Sequence, residues 1–281
     1  MLKGWFLGEQ TISTNLTAFN SDGFSLGTGG DVNTNSATFV GWTWDAGTST
    51  VSNTQGSITS QVRANATAGF SVVTYTGSGI TSTIGHGLGV APSMIITKNR
   101  SSGSFNWGVY HAAAGNSVYG KLNLTDAFSS LPIWQNTTPS STVFYVGNYN
   151  PANQGSDNYV AYCFAPVVGY SSFGSYTGNG SADGPFVYTG FRPRWVMIRK
   201  TSASGNFWTI RDTTRNTFNV ANLQLYPNSA VVEGAPSAGD VIDIVSNGFK
   251  LRGISADVND SSATYIFAAF AEVPSKYALA R

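Results

Sequence analysis

Few side chains in this sequence are suited to chemistry. Charged residues make up 10% of 281, and there are two histidines, His86 and His111, and one cysteine, Cys163. A general base must be a positioned, tunable group, most often histidine. His86 lies in the loop-like string "GHGLG", and the pattern "GxSxG" occurs only as "GFSLG" (Gly23 to Gly27), which follows a hairpin-turn string and does not read as the strand-to-helix elbow of a serine nucleophile. Glycoside hydrolysis needs two carboxylates facing a sugar. The glutamates are only Glu9, Glu233 and Glu272, and the aspartates stand mostly in turn-like strings such as "SDG" and "SADG", where Asp caps local backbone. "DVND" (Asp257 to Asp260) offers oxygens to a cation, but no EF-hand spacing surrounds it. "GSGITSTIGHGLG" is glycine-rich yet fits neither a P-loop nor "GxGxxG", and no helix follows it. The expectation is a protein that is not an enzyme, with no catalytic residue, no metal and no cofactor.

One charge cluster remains. Arg192, Arg194, Arg199, Lys200, Arg211 and Arg215 crowd into a short stretch, where they form either a charged sheet edge or a patch for an anionic partner. The tryptophans Trp107, Trp195 and Trp208 are expected to fill cores, the sharper alternative being a platform for sugar rings.

The elements that position these residues announce themselves by repetition. "TYTGSG" (Thr74 to Gly79) returns as "SYTGNG" (Ser175 to Gly180). At this shift of 101 residues Tyr75 falls on Tyr176, Pro92 on Pro193 and Trp107 on Trp208. Each proline precedes a strand-like run, "SMIITK" or "RWVMIR", and each copy closes on a long apolar run, "DNYVAYCFAP" or "SATYIFAAFAE". Such runs suit strands buried on both faces. A third, partial copy opens the chain: "DVNTNSATF" (Asp31 to Phe39) echoes "DVNDSSATY" (Asp257 to Tyr265), and "VGWTWDAG" stands where the closing strand would be.

Runs of Val, Ile, Thr and aromatics broken by Gly, Asn, Ser and Asp read as strands and turns. In the second copy eight strands are expected: "GSYTG", "PFVYTG", "RWVMIRK", "NFWTIRD", "SAVVEG", "DVIDIVSNG", "FKLRG" and "TYIFAAFAE". The expected fold is all-β: tandem antiparallel β-sandwich (jelly-roll-like) repeats after an N-terminal partial repeat. Residues 1–46 form the partial repeat, expected to be an assembly segment, completed either by the linker folding back within the chain or, as the favoured route, by strands from a neighbouring chain. Residues 47–69 read as a Ser/Thr/Asn-rich linker, 70–170 as the first sandwich and 171–281 as the second.

A net charge of +1 provides no field for nucleic acid, and no apolar run is long enough for membrane insertion or a signal peptide. So few charges leave apolar surface to bury, so a homo-oligomer is expected, a trimer as the first guess.

Four strings, "HGLGVAPSMIITKNRSSGSFNWGVYH", "FNSDGFSLG", "DAGTSTVSNTQGSITSQVRANATAGFSVVTYTG" and "YVAYCFAPVVGYSSFGSYTGNG", together resemble repeat modules of tail-fibre-like virion structural proteins from tailed phages of marine bacteria, cyanophages among them. The resemblance implies a bacteriophage virion structural protein in a tail fibre or surface appendage, serving host attachment. Its partners would be copies of itself, other virion proteins and a host-surface glycan. It would be made in the host cytoplasm and located in the virion. The rival expectations are a carbohydrate-binding module and, against the lack of paired carboxylates, a polysaccharide depolymerase.

Overall fold

The computed structural model describes residues 9, 12–234 and 239–272. The N-terminal string "GWFLGEQ" lies almost wholly outside the described residues, and the C-terminal "PSKYALAR", expected to form a turn, lies wholly outside them. The chain begins with a hairpin, β1 (Leu16–Asn20) and β2 (Gly23–Leu26), then one helical turn, α1 (Gly30–Asn33). Ser21 and Asp22 of "SDGF" make the tight turn that sets Asn20 opposite Gly23, the first residue of β2. The first half continues with β3 (Thr50–Asn53), β4 (Ser60–Asn65), β5 (Phe70–Thr76), β6 (Ser82–Gly85), β7 (Met94–Asn99), β8 (Gly108–His111), β9 (Gly115–Lys121), β10 (Val143–Val146) and β11 (Asn158–Phe164). The second half holds β12 (Ser171–Thr177), β13 (Phe186–Tyr188), β14 (Trp195–Lys200), β15 (Thr209–Asp212), β16 (Ile242–Val245), β17 (Gly248–Leu251) and β18 (Thr264–Phe270).

The fold is all-β, and its strand pairs are antiparallel. The first half forms a seven-stranded sheet, β3-β4-β5-β11-β7-β8-β9, and a small sheet of β10 and β6. The second forms a four-stranded sheet, β12-β18-β14-β15, and a small sheet of β13-β17-β16. The run β5-β11-β7-β8 thus has its counterpart in β12-β18-β14-β15. The register agrees as well: Tyr159 lies between Tyr75 and Asn99, and Tyr265 between Tyr176 and Lys200. Pro92 and Pro193 introduce β7 and β14. The next N–H in each case, Ser93 or Arg194, donates to the last residue of the closing strand, Phe164 or Phe270, at 2.8 and 2.7 Å.

Three cores stack these sheets into four layers. One lies under the small sheet of the first half, with Val73, Ile84, Ile95, Phe144, Tyr159 and Ala161. Its counterpart in the second half holds Val187, Val196, Ile244, Phe249, Tyr265 and Phe267. The third lies between the two large sheets and draws on both halves, with Phe70, Met94 and Phe164 meeting Trp195, Met197 and Phe270. The closing strand β18 therefore alternates Tyr265, Phe267 and Ala269 toward one core with Ile266, Ala268 and Phe270 toward the other. Burial on both faces removes the apolar–polar alternation and leaves a continuous apolar run.

The expected all-β antiparallel sandwich fold is present: each half pairs a large sheet with a small one, and the large sheets face each other. Several other expectations are corrected. Residues 47–69 are more than a linker: β4 pairs along β5, and β3 along β4. The inward side chains Ser60 and Val62 are buried, while Gln61 and Arg63 are exposed. "SAVVEG" is not a strand; Val231 and Val232 are exposed and only Gly234 makes an isolated bridge, to Gln224. "VGWTWDAG" is not a closing strand either, because no sheet edge receives it. Its tryptophans pack instead within the same chain: Trp44 lies 5.6 Å from Trp195, 5.5 Å from Phe270 and 6.2 Å from Phe164, all edge-on. No neighbouring chain is needed to cover them.

Candidate functional site

Both histidines hold backbone. The His86 Nδ1 accepts from the Leu88 N–H at 3.2 Å, and Nε2 faces the Ser140 carbonyl at 3.2 Å. His111 repeats the arrangement, with Ala113 N–H on Nδ1 (3.2 Å) and Nε2 donating to the Phe267 carbonyl (3.0 Å) across the interface between halves. A ring that accepts at one nitrogen and donates at the other is neutral. Burial favours that form, lowering the His86 pKa and bringing that of His111 down to about 4, the carbonyl partner pulling weakly the other way. Neither imidazole has a nitrogen left for a substrate. Cys163 is wholly buried and burial pushes its thiol up to about 12, away from the reactive thiolate.

The six cations do not form a patch. Neighbouring residues of a strand point to opposite faces, so β14 sends Arg199 into the layer between halves and Lys200 to the other side. Arg199 is fully buried, stacked 5.6 Å over Trp208, and donates to the carbonyls of Asn206 and Asp126. Desolvation draws its pKa down to about 10, so it remains a cation at neutral pH. Lys200 pairs with Asp260 at 2.7 Å. Arg211, also fully buried, meets Asp240 at 2.5 Å and Gln224 at 2.8 Å. Arg215 bridges Asp212 and Glu233, and Arg194 pairs with Glu272. Arg192 alone of the six is exposed with no ion-pair partner among the described residues.

"DVND" is equally committed. Asp257 accepts from the Phe207 N–H at 2.7 Å and from Asn206 at 3.3 Å, and Asp260 is held by Lys200. Trp107 and Trp208 correspond, but in the layer between halves and not inside each sandwich. Trp208 is buried and donates its indole N–H to the Lys121 carbonyl at 2.9 Å; Trp107 is half-buried.

What the repeated strings do build is a corner, found once in each half. Tyr75 stacks on Tyr159 (5.3 Å, 12°), as Tyr176 stacks on Tyr265 (5.0 Å, 9°). Tyr75 donates to the Ala152 carbonyl and Tyr176 to that of Val258. Beneath them lies a fully buried asparagine. Asn153 Oδ1 accepts from Ser78 N–H (2.8 Å) and Nδ2 donates to Ile80 O (2.6 Å). Asn259 does the same with Asn179 N–H (2.9 Å) and Ser181 O (2.8 Å), and adds the Gly253 carbonyl (2.8 Å). The partial copy repeats a piece of this, Asn33 donating to Gly27 O at 2.9 Å. The glycine of "YTG" is required here: a Cβ on Gly77 would lie 2.1 Å from the Gln154 carbonyl, and one on Gly178 2.2 Å from that of Asp260. Sequence reasoning found the tyrosines and missed the asparagines. Their signal is "PAN" and "DVN", which align at a shift of 106 residues (Tyr159 onto Tyr265), not 101.

A shallow polar cleft of about 260 Å³ lies on the seven-stranded sheet, over residues of β4, β5 and β11. Thr59, Gln61, Thr74, Thr76, Arg100 and Asn158 line it. Thr76 donates to Asn158 at 3.0 Å, and Arg100 pairs with Glu9 at 2.5 Å. No helix among the described residues is long and apolar enough to cross a membrane.

The molecule is thus an all-β protein of stacked antiparallel sheets whose reactive side chains hold its own backbone. The chain belongs to the family described as a domain of unknown function, DUF7483, which matches residues 7–274 and so spans both halves. No curated protein and no solved structure matches it.

Proposed function

We propose that the chain is a structural protein of a tailed-phage virion, part of a tail fibre or surface appendage that serves adsorption to the host, and that it is not an enzyme. The supporting sequence observation is the resemblance of four strings to tail-fibre-like modules. The structural observation that carries the reading is the commitment of both histidines and the buried cations to internal bonds, which suits a rigid scaffold better than a catalyst. Its partners are further copies and other virion proteins. Immunogold labelling of purified particles tests this reading: label on an appendage supports it, and particles free of the protein overturn it.

The polar cleft favours a second, compatible reading, a carbohydrate-binding surface used in adsorption. Thr, Gln, Asn and Arg side chains present donors and acceptors suited to sugar hydroxyls. Glycan-array binding that falls on Arg100→Ala and Asn158→Ala supports it; binding unchanged in both variants, or absent from the parent protein, defeats it.

A further inference from the structure

The two halves differ at one edge. In the first, β5 is flanked by β11 on one side and β4 on the other. In the second, β12 stands in the place of β5, pairs with β18, and has no described strand on its other side. The Gly178 N–H donates to Ala263 and the Ala271 N–H to Tyr170, so the even-numbered residues of β12 turn their backbone groups toward β18. The odd-numbered ones turn away. Ser171 is closed off by mutual bonds with Val167, at 2.9 and 3.3 Å. The N–H and C=O of Phe173, Ser175 and Thr177 face outward with no partner among the described residues. The corresponding Val72 and Thr74 in the first half meet Arg63 and Gln61 of β4. The same edge is thus already a strand interface in one half of the molecule.

The string "SSFGSYT" contains no lysine, acid or proline, the residues that commonly guard an open edge. The outer strands β9 and β15 are each capped by an isolated bridge, Tyr119 to Ser129 and Ile210 to Leu225. β3, with four residues, is shorter.

We propose that β12 is a docking edge for a second copy of this chain, whose own β12 pairs with it antiparallel about a twofold axis through Ser175. Ser175 then faces Ser175 of the second copy, and Phe173 faces Thr177, so all three outward residues exchange backbone hydrogen bonds. No like charges meet, and the two four-stranded sheets become one. Such a contact is isologous and closed. It builds a dimer in place of the trimer expected from composition, and it holds or fails independently of the virion reading.

Light scattering on the purified full chain is expected to give twice the 29.7 kDa chain mass at micromolar concentration. Ser175→Pro removes one outward N–H, a change an edge strand tolerates, and is expected to give a monomer with unchanged circular dichroism and melting temperature. Ser52→Pro on the open side of β3 is expected to keep the dimer. A short bis-maleimide is expected to trap Ser175→Cys as a covalent dimer and to leave the parent protein uncoupled, since Cys163 is buried. A monomeric or trimeric parent, a dimer that survives Ser175→Pro, or loss of the dimer in Ser52→Pro overturns the proposal. If Ser175→Pro fails to fold, the cross-link decides: no covalent dimer from Ser175→Cys overturns it.

Discussion

Asn259 is fully buried and ties Asn179, Ser181 and Gly253 into one corner. Removing its amide takes a partner from the Asn179 N–H and the Ser181 carbonyl, which are part-buried, and from the buried Gly253 carbonyl, and a stranded buried group costs roughly 1–3 kcal/mol. Asn259→Ala is therefore expected to lower the unfolding free energy by about 2–4 kcal/mol, read from the urea midpoint; a shift under about 0.5 kcal/mol, the usual size for a surface change, would remove the corner from the stability argument. His111 gives a pH signature. Unfolded, it takes up a proton near its ordinary pKa of 6.5; folded, it resists until about 4. Its contribution is whole above pH 6.5 and is lost as the pH falls toward 4, about 3 kcal/mol in all. His111→Gln keeps a donor for the Phe267 carbonyl and cannot titrate. Its stability is expected to fall less than that of the parent between pH 7 and 4, and parallel pH curves would show that His111 is not the titrating group.

Among the elements, β3 and β4 decide whether residues 47–69 are part of the fold. Val62 is buried in the core of the first half, and Val51, its pair on β3, is 56% exposed. Val62→Ala is expected to cost about 2 kcal/mol from lost burial and cavity, and Val51→Ala less than about 0.5 kcal/mol. A linker would give two silent substitutions in thermal or urea unfolding. The first half thus carries an edge-covering strand that the second lacks, and this asymmetry leaves β12 open.

The whole molecule is held as one body by the middle layer and by the segment after β9. Leu124, Thr125 and Asp126 offer carbonyls to Asn228, Gly205 and Arg199, and the Phe128 N–H donates to Thr201. Trp42 and Trp44 close the same layer from the N-terminal segment. One cooperative unfolding transition is expected by calorimetry, with matching calorimetric and van't Hoff enthalpies. Two separable transitions would mean the halves are independent. Trp208→Ala is expected to cost about 3–5 kcal/mol and to lower that single transition, and Trp107→Ala, half-buried, to cost less.

The sequence by itself determined what depends on near neighbours. Alternation and turn residues marked most strands, and "SDGF" and "SNGF" marked hairpins, because strand propensity and tight turns are local matters; the echo of "YTG" marked the corner only as a repetition, since its glycines close on Gln154 and Asp260, far along the chain. The unbroken apolar run of β18 even declared burial on both faces. The tertiary structure decided the rest, because it depends on groups far apart in the chain. Arg199 looked like surface charge until Asp126 and Trp208 were brought to it, and Arg211 until Asp240 was. Trp44 looked like part of a strand, but no sheet edge was there to receive it, so it filled the gap between Trp195 and Phe164. "SQVRAN" looked like a linker because its inward face is only Ser60, Val62 and Ala64. Those three side chains are too little apolar surface to predict a core strand, and they became one only when the edge of β5 supplied the hydrogen bonds.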